Sequence, residues 1–241
     1  MITPIEIKIC GITNLEDART SAQLGASMLG FNFYPGSPRY IEPKSARRII
    51  EAIPSEVRPV GVFVDASVEA IREVADTAGL RCVQLHGNAS PDICRGLGHE
   101  FRVIRAFSMD FQFRPEEVSL FGDCDVLVDA HHPKLRGGTG LTCDWQAARK
   151  ARSFTRFLIL SGGLTERNVG HAITTVAPHA VDVCSGVESA PGVKNHTALK
   201  DFIAGVRVAE CSLHATSTHD PTRSVIPSPS TSLRTGSAKN L

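Results

Sequence analysis

The chain has 241 residues, of which 42% are hydrophobic and 21% charged, and its formal net charge is +1. This composition is typical of a soluble globular protein with a full core, and it argues against nucleic acid or an anionic membrane surface as a partner. No apolar run approaches the length of a membrane span, and the first residues lack the pattern of a secretory signal. The seven cysteines form no C-x-x-C motif. We therefore expect a cytoplasmic protein with reduced, free thiols.

Short apolar strands alternate along the chain with amphipathic helices. Strands are predicted at residues 5–12, 28–33, 58–64, 81–85, 101–107, 125–128, 157–160 and 180–183. Helices are predicted at residues 14–25, 43–53, 67–79, 90–97, 115–121 and 195–208, and after residues 144 and 165. Asn14, Ser67 and Thr165 have the residue types that cap helix N-termini.

Strands that alternate with helices predict a parallel sheet with right-handed crossovers. Eight such units in about 205 residues fit a compact (β/α)₈ TIM barrel, and a doubly wound open sheet is the alternative. The barrel is predicted to span residues 1–208 as a single catalytic domain. Residues 209–241 are rich in Ser, Thr and Pro and are predicted to form a disordered tail.

Functional groups of such a barrel lie on the loops that follow the strands. Cys10 ends the first strand directly before Gly11, so a thiol is expected at the barrel rim. Most free cysteines are simply small buried hydrophobes, which is the alternative for Cys10. A modest fall in its pKa would make Cys10 a general base, and Lys8 lies on the same face of the strand to lower that pKa.

Two further candidates follow the second and sixth strands. Arg39, in a proline-rich loop, has a guanidinium that suits a planar carboxylate, although most arginines are merely solvated. Asp129 ends an apolar strand, so partial desolvation would raise the pKa of its carboxyl and make it a general acid. The alternative for Asp129 is a structural hydrogen-bond acceptor.

Glycine turns follow the seventh and eighth strands. Gly162 and Gly163 allow backbone N–H groups to converge on an anion, and Ser185 and Gly186 offer a second set. A phosphate site built from these two loops recurs in barrels, so phosphate binding is preferred over simple chain reversal.

Three other patterns are not assigned to a site. Cys82 and His86 share a face of one strand but have no further ligands, so no metal site is expected. His131 and His132 receive no role. Residues 136–140 are glycine-rich without the ending of a P-loop, and they suggest a mobile loop over the site.

Seven segments together resemble the phosphoribosylanthranilate isomerase family of tryptophan biosynthesis. They are KICGIT at 8–13, GFNFYPGSPRY at 30–40, VGVFV at 60–64, VQLHG at 83–87, GGTG at 137–140, SGGL at 161–164 and VDVCSGVE at 181–188. The resemblance runs in order over about residues 5–207. It implies an Amadori rearrangement of N-(5-phosphoribosyl)anthranilate that needs neither metal nor cofactor.

The resemblance also implies roles for individual residues. Asp129 would be the general acid, Cys10 the general base, and Arg39 the ligand of the anthranilate carboxylate. The loops at Gly162–Gly163 and Ser185–Gly186 would hold the phosphate of this phosphosugar substrate. The family usually has Ser where this chain has Cys184, and often Ala where it has Ser161.

Three other functions compete with this one. The sister isomerase of histidine biosynthesis pairs two aspartates, whereas the base position here is Cys10. A phosphate-binding barrel without catalysis would bind a phosphosugar but not turn it over. A Schiff-base aldolase would need a reactive lysine, for which Lys8 is the nearest candidate. A monomer and a homodimer both remain open.

Overall fold

The structure, a computed structural model, describes residues 4–110, 112–129 and 144–217, and side chains as far as residue 213. Eight parallel strands close into a barrel in the order of the sequence, so the predicted TIM barrel is confirmed and the open sheet is wrong. The strands are β1 Glu6–Cys10, β2 Met28–Asn32, β3 Arg58–Val64, β4 Cys82–His86, β5 Arg102–Ser108, β6 Asp125–Asp129, β7 Leu158–Ser161 and β8 Ala180–Val183. The helices are α1 Leu15–Leu24, α2 Pro43–Ile50, α3 Val68–Ala78, α4 Pro91–Leu97, α5 Trp145–Arg152, α6 Val169–Val176 and α7 His196–Ser217.

The side chains of the strands alternate between the inside of the barrel and the helical layer. One buried apolar cluster fills the interior and contains Met28, Val60, Cys82, Ile104, Ala106, Leu127, Ile159 and Ala180. A larger cluster lies between the strands and the helices. Every second residue after an interior one therefore also points into the barrel, and the last of these in each strand lies at the carboxyl-terminal mouth.

Two of the three predicted helix caps are confirmed. The side chains of Asn14 and Ser67 accept hydrogen bonds from the first turns of α1 and α3. The prediction for Thr165 is wrong, because α6 begins at Val169 after Asn168. Asn168 instead accepts a hydrogen bond from the Thr165 N–H and donates one to the carbonyl of Gly163, which fixes the loop after β7.

Other boundaries also differ from the prediction. Strand β1 ends at Cys10 rather than at residue 12, because Gly11 turns the chain with a φ of +75°. Residues 115–121 form a 3₁₀ helix. A short hairpin of β9 Glu188–Ala190 and β10 Val193–Lys194, which the sequence analysis did not predict, follows β8.

The last helix continues to Ser217, so the predicted domain boundary at residues 208 and 209 falls inside regular structure. Val208 is 69% exposed, but Ala209 is buried and Leu213 packs against the core, so the buried face of the helix continues past the predicted boundary. Residues 218–241 and the loop 131–142 lie outside the described residues, so the expected disorder of the tail stays a prediction. Within the described ranges no helix is long and apolar enough to cross a membrane.

Candidate active site

Polar side chains occupy the mouth of the barrel, above the apolar interior. By strand alternation, Cys10, His86, Asp129 and Ser161 face inward at the ends of their strands. Cys10, His86 and Asp129 are all half-buried. The side chains predicted to carry chemistry are thus brought to the same end of the barrel, although they come from strands far apart in sequence.

A buried ion pair lies beneath Cys10. Lys8 Nζ is 2.7 Å from Asp182 Oδ1, and the Lys8 side chain is completely buried. The hydroxyl of Ser161 donates to the other oxygen of Asp182 at 2.9 Å. Burial alone would lower the pKa of Lys8, but Asp182 and Cys10 together raise it above its ordinary value, so Lys8 is a fixed cation.

Gly30 leaves the space that this cation and the thiol occupy. A Cβ at this position would lie 2.8 Å from Cys10 Sγ and 3.1 Å from Lys8 Nζ. The thiol and the ammonium group therefore meet over the same point of β2. The expectation that Lys8 lies on the Cys10 face is confirmed.

Cys184 is the neighbour of Cys10 on the opposite side, because Ile9 pairs with Val183 in the register of β1 and β8. The neighbouring Cys184 thiol, together with the charges of Lys8 and Lys194, lowers the pKa of the Cys10 thiol despite its burial. The same contact and burial raise the pKa of Cys184. The cation Lys8 lies beside Cys10, so of the two thiols Cys10 is the one whose ionisation is favoured.

Arg39 is held by a carboxylate that the sequence analysis did not single out. Its Nε lies 2.9 and 3.1 Å from the two oxygens of Glu188, and its Nη2 lies 2.6 Å from Oε2. Lys194 Nζ also donates to Glu188 Oε1 at 2.9 Å, and to the carbonyl of Cys10 at 2.6 Å. Burial opposes ionisation of Glu188, but the hydrogen bonds from Arg39 and Lys194 hold the pKa of its carboxyl at about 2.

A cleft of about 200 Å³ opens between the loops after β7 and β8. It contains all four residues of the predicted phosphate site together with the predicted acid: Asp129, Gly162, Gly163, Ser185 and Gly186. A Cβ at Gly186 would lie 1.9 Å from the carbonyl oxygen of Leu164, so the two loops approach as closely as they do only because this residue is glycine.

His86 is a neutral group in this mouth. Its Nε2 lies within hydrogen-bond distance of the Gln84 side-chain amide, at 2.7 Å. Burial and the nearby positive charges of Lys8 and Arg105 lower the pKa of His86 to about 4. Among the described residues, no group of three or more His, Cys, Asp or Glu side chains is arranged to hold a metal ion.

Glu188, Lys194 and Asp182 are the site residues that sequence reasoning missed. Glu188 and Asp182 stand in the segment VDVCSGVE at 181–188, which was already recognised for its glycine turn. Lys194 has no sequence signal, because it looks like an ordinary solvated lysine. His131, His132 and residues 136–140 lie outside the described residues.

The matching family model is described as N-(5'-phosphoribosyl)anthranilate (PRA) isomerase, and it covers residues 7–205. Among proteins of that name, the one from Trichlorobacter lovleyi is 43% identical over 205 residues, which cover 85% of this chain and 99% of the relative. The one from Thermotoga maritima is 44% identical over 203 residues, which cover 84% of this chain and 98% of the relative.

Solved structures agree with these matches. The crystal structure of the Thermotoga maritima phosphoribosyl anthranilate isomerase is similar with a TM-score of 0.79 and 44% identity, covering 85% of this chain and 99% of that one. A structure of such an isomerase with reduced 1-(o-carboxyphenylamino)-1-deoxyribulose 5-phosphate is similar with a TM-score of 0.77 and 42% identity over the same shares of the two chains.

Proposed function

The chain belongs to the N-(5'-phosphoribosyl)anthranilate isomerase family of tryptophan biosynthesis, and on that premise we propose that Cys10 and Asp129 are the base and the acid of its isomerisation. The substrate is the phosphosugar N-(5-phosphoribosyl)anthranilate, and the product is 1-(2-carboxyphenylamino)-1-deoxyribulose 5-phosphate. The observation that carries the proposal is that Cys10 and Asp129 both face the mouth of the barrel, with the buried cation Lys8 beside the thiol.

Asp129 begins the reaction. Its carboxyl donates a proton to the ring oxygen of the ribose while the C1–O bond breaks, and the nitrogen lone pair forms a Schiff base. Support comes from its position in the cleft of Gly162 and Gly186, where a bound phosphate would fix the other end of the sugar. A positioned acid of this kind contributes about 10²–10⁴-fold to the rate.

Cys10 completes it. The thiolate removes the proton from C2, the electrons of that bond form the C1–C2 double bond of an enolamine, and tautomerisation gives the ketone. One proton enters at the ring oxygen and one leaves from C2, so the reaction is an isomerisation without an external reductant. The charge of Lys8 and the hydrogen bond from Cys184 support the thiolate.

Two anchors orient the substrate. The backbone of the loops that contain Gly162, Gly163, Ser185 and Gly186 is suited to the phosphate, and Arg39 is suited to the anthranilate carboxylate. Orientation of this kind lowers the barrier by holding the reacting atoms in place before the chemistry begins. The cytoplasmic location, and the choice between monomer and homodimer, stay predictions.

The competing functions make different predictions. A Schiff-base aldolase would need an accessible, readily deprotonated lysine, whereas Lys8 is fully buried in its ion pair. A non-catalytic phosphate-binding barrel would bind the substrate and leave it unchanged. The deciding experiment is to add the purified protein to freshly made phosphoribosylanthranilate and to follow the loss of anthranilate-type fluorescence. Binding without turnover would remove the enzymatic reading.

A further inference from the structure

Glu188 holds Arg39, the proposed ligand of the substrate carboxylate, at the rim of the barrel. Its side chain is only 4% exposed, although it begins the short strand β9 at the edge of the mouth. Arg39, Lys194 and the backbone N–H of Gly192 all donate to its two oxygens, and the Cys184 sulfur lies 3.7 Å from one of them. A carboxylate with so many donors is held in one orientation.

The contact with Arg39 uses one particular edge of the guanidinium group. Nε and Nη2 donate to Glu188, so two of the five N–H bonds of the arginine are engaged. Neither hydrogen on Nη1 is matched to an acceptor among the described residues. The terminal edge, made by Nη1 and the second hydrogen of Nη2, therefore remains for a ligand, and its geometry matches a carboxylate.

The rest of the arginine side chain has little freedom. A Cβ at Gly11 would lie 2.7 Å from Arg39 Cδ, so the stem of the side chain crosses directly over the backbone turn after Cys10. Arg39 is thus fixed at its stem by Gly11 and at its head by Glu188. Since 22% of its side chain is exposed, the head can still meet a small molecule.

The donors of the two cations in this cluster are unequally engaged. Arg39 and Lys194 are cations, and Glu188 is the only carboxylate that pairs with either among the described residues. Lys194 is fully buried, and its ammonium group already donates to the carbonyls of Cys10 and Cys184 and to Glu188. Among the described residues, the donors left for a further ligand are therefore those on the terminal edge of Arg39.

We propose that Glu188 is a positioning residue that turns the terminal edge of Arg39 toward the carboxylate of the substrate. This inference rests on the proposed role of Arg39 as the ligand of that carboxylate. It goes beyond that role by naming the group that decides which edge of the guanidinium is available. It predicts that loss of Glu188 weakens recognition of the substrate carboxylate and leaves recognition of the phosphosugar intact.

The test compares two ligands by calorimetry on the full chain. One is the reduced product, with its ketone converted to an alcohol, and the other is the same compound without the ring carboxylate. In the unchanged protein, loss of the carboxylate should weaken binding about 10- to 100-fold, which is the range for hydrogen bonds to charged groups. The measured quantity is the ratio of the dissociation constants of the two ligands. In Glu188→Ala this ratio should fall below about threefold, whereas the affinity for the ligand without the carboxylate should change less than about twofold.

Two variants make the comparison decisive. Glu188→Gln keeps the shape and one acceptor, so its ratio should be intermediate, and it decides the question if Glu188→Ala fails to fold. The matched control is Glu100→Ala, which breaks a fork of the same geometry between Arg72 Nε and Nη2 and Glu100 on an exposed surface. Its ratio should equal that of the unchanged protein.

The possible results separate this inference from the proposal beneath it. If the unchanged protein binds both ligands equally, Arg39 does not anchor the carboxylate, and the proposed role of Arg39 fails first. If Arg39→Ala removes the ratio but neither Glu188 variant lowers it, only the positioning role of Glu188 is overturned. If the Glu188 variants weaken both ligands alike, Glu188 is merely structural and the inference is again wrong.

Discussion

Lys8 and Asp182 form an ion pair inside the barrel, with 2.7 Å between Nζ and Oδ1. The pair lies one layer below the mouth and joins β1 to β8, because the two residues face each other in the strand register. A cation at this depth cannot be screened by solvent, and it acts directly on the thiol of Cys10. The ion pair is therefore both a structural bond across the barrel seam and an electrostatic support for a thiolate.

Lys8→Met should move the pH dependence of catalysis. The charge of Lys8 lowers the pKa of Cys10, so loss of that charge raises the pKa. The rising limb of the pH profile of kcat/KM should therefore shift toward higher pH. The loss of activity should be larger at pH 6.5 than at pH 9. Breaking a buried pair also costs about 3–5 kcal/mol of stability, which Lys8→Met combined with Asp182→Asn should partly restore. Lys200→Met, on the exposed surface of α7, is the control and should leave the limb in place; an unshifted limb in Lys8→Met would contradict the electrostatic role.

Cys10→Ser and Asp129→Asn should each lower kcat by about 10²–10⁴-fold, because each removes one positioned proton-transfer group. KM should change much less, since neither group is assigned to binding. Steady-state fluorescence measurements check this, with Cys211→Ser as the control because that thiol is exposed on α7. Either variant with nearly full kcat would lose its assigned role.

The Cys10 thiol should ionise below the ordinary thiol pKa of about 8.5, because Cys184 and the two lysines stabilise the thiolate. Activity should rise with pH through that lowered value, since the base must be deprotonated. Cys184→Ala should raise the pKa of Cys10 by removing the donor, whereas Cys184→Ser should keep it low. The rate of iodoacetamide alkylation at Cys10, followed against pH by mass spectrometry, measures the shift; equal profiles for the two variants would exclude the hydrogen bond as a cause.

Gly186→Ala should weaken phosphate binding and the fold together. The new methyl group would meet the carbonyl oxygen of Leu164 at 1.9 Å, so the loops after β7 and β8 must separate. We expect a stability loss of about 1–3 kcal/mol and weaker inhibition by inorganic phosphate. Gly170→Ala in α6 is the matched control, because nothing lies within 4 Å of its Cβ. That helix position should gain up to about 1 kcal/mol and keep its phosphate inhibition unchanged.

Removal of residues 218–241 should leave turnover unchanged, because the eight barrel strands, the helices around them and every candidate site residue precede residue 218. Removal from residue 209 onward should lower the melting temperature. Glu210 accepts a hydrogen bond of 2.7 Å from the N–H of Ile5, and so ties α7 to the start of β1. Thermal melts of the two truncations provide the measurement, and equal melting temperatures would show that this contact contributes nothing.

The sequence by itself determined the barrel and much of the site. Eight strands and their helices could be predicted because apolar periodicity and helix caps are local signals, as at Asn14 and Ser67. Cys10, Asp129 and the glycines could be placed together because the carboxyl ends of parallel strands meet at one edge. The resemblance of seven segments to a known family supplied their expected roles, which local pattern alone left open.

Only the tertiary structure decided what each of these residues touches. The contact between Arg39 and Glu188 joins positions 149 residues apart, and that between Lys194 and the carbonyl of Cys10 joins positions 184 apart. No local pattern encodes such pairings, since they arise when the first and last strands close the barrel. The pKa of Cys10 belongs to the same class, because burial and the charges around the thiol exist only in the closed barrel.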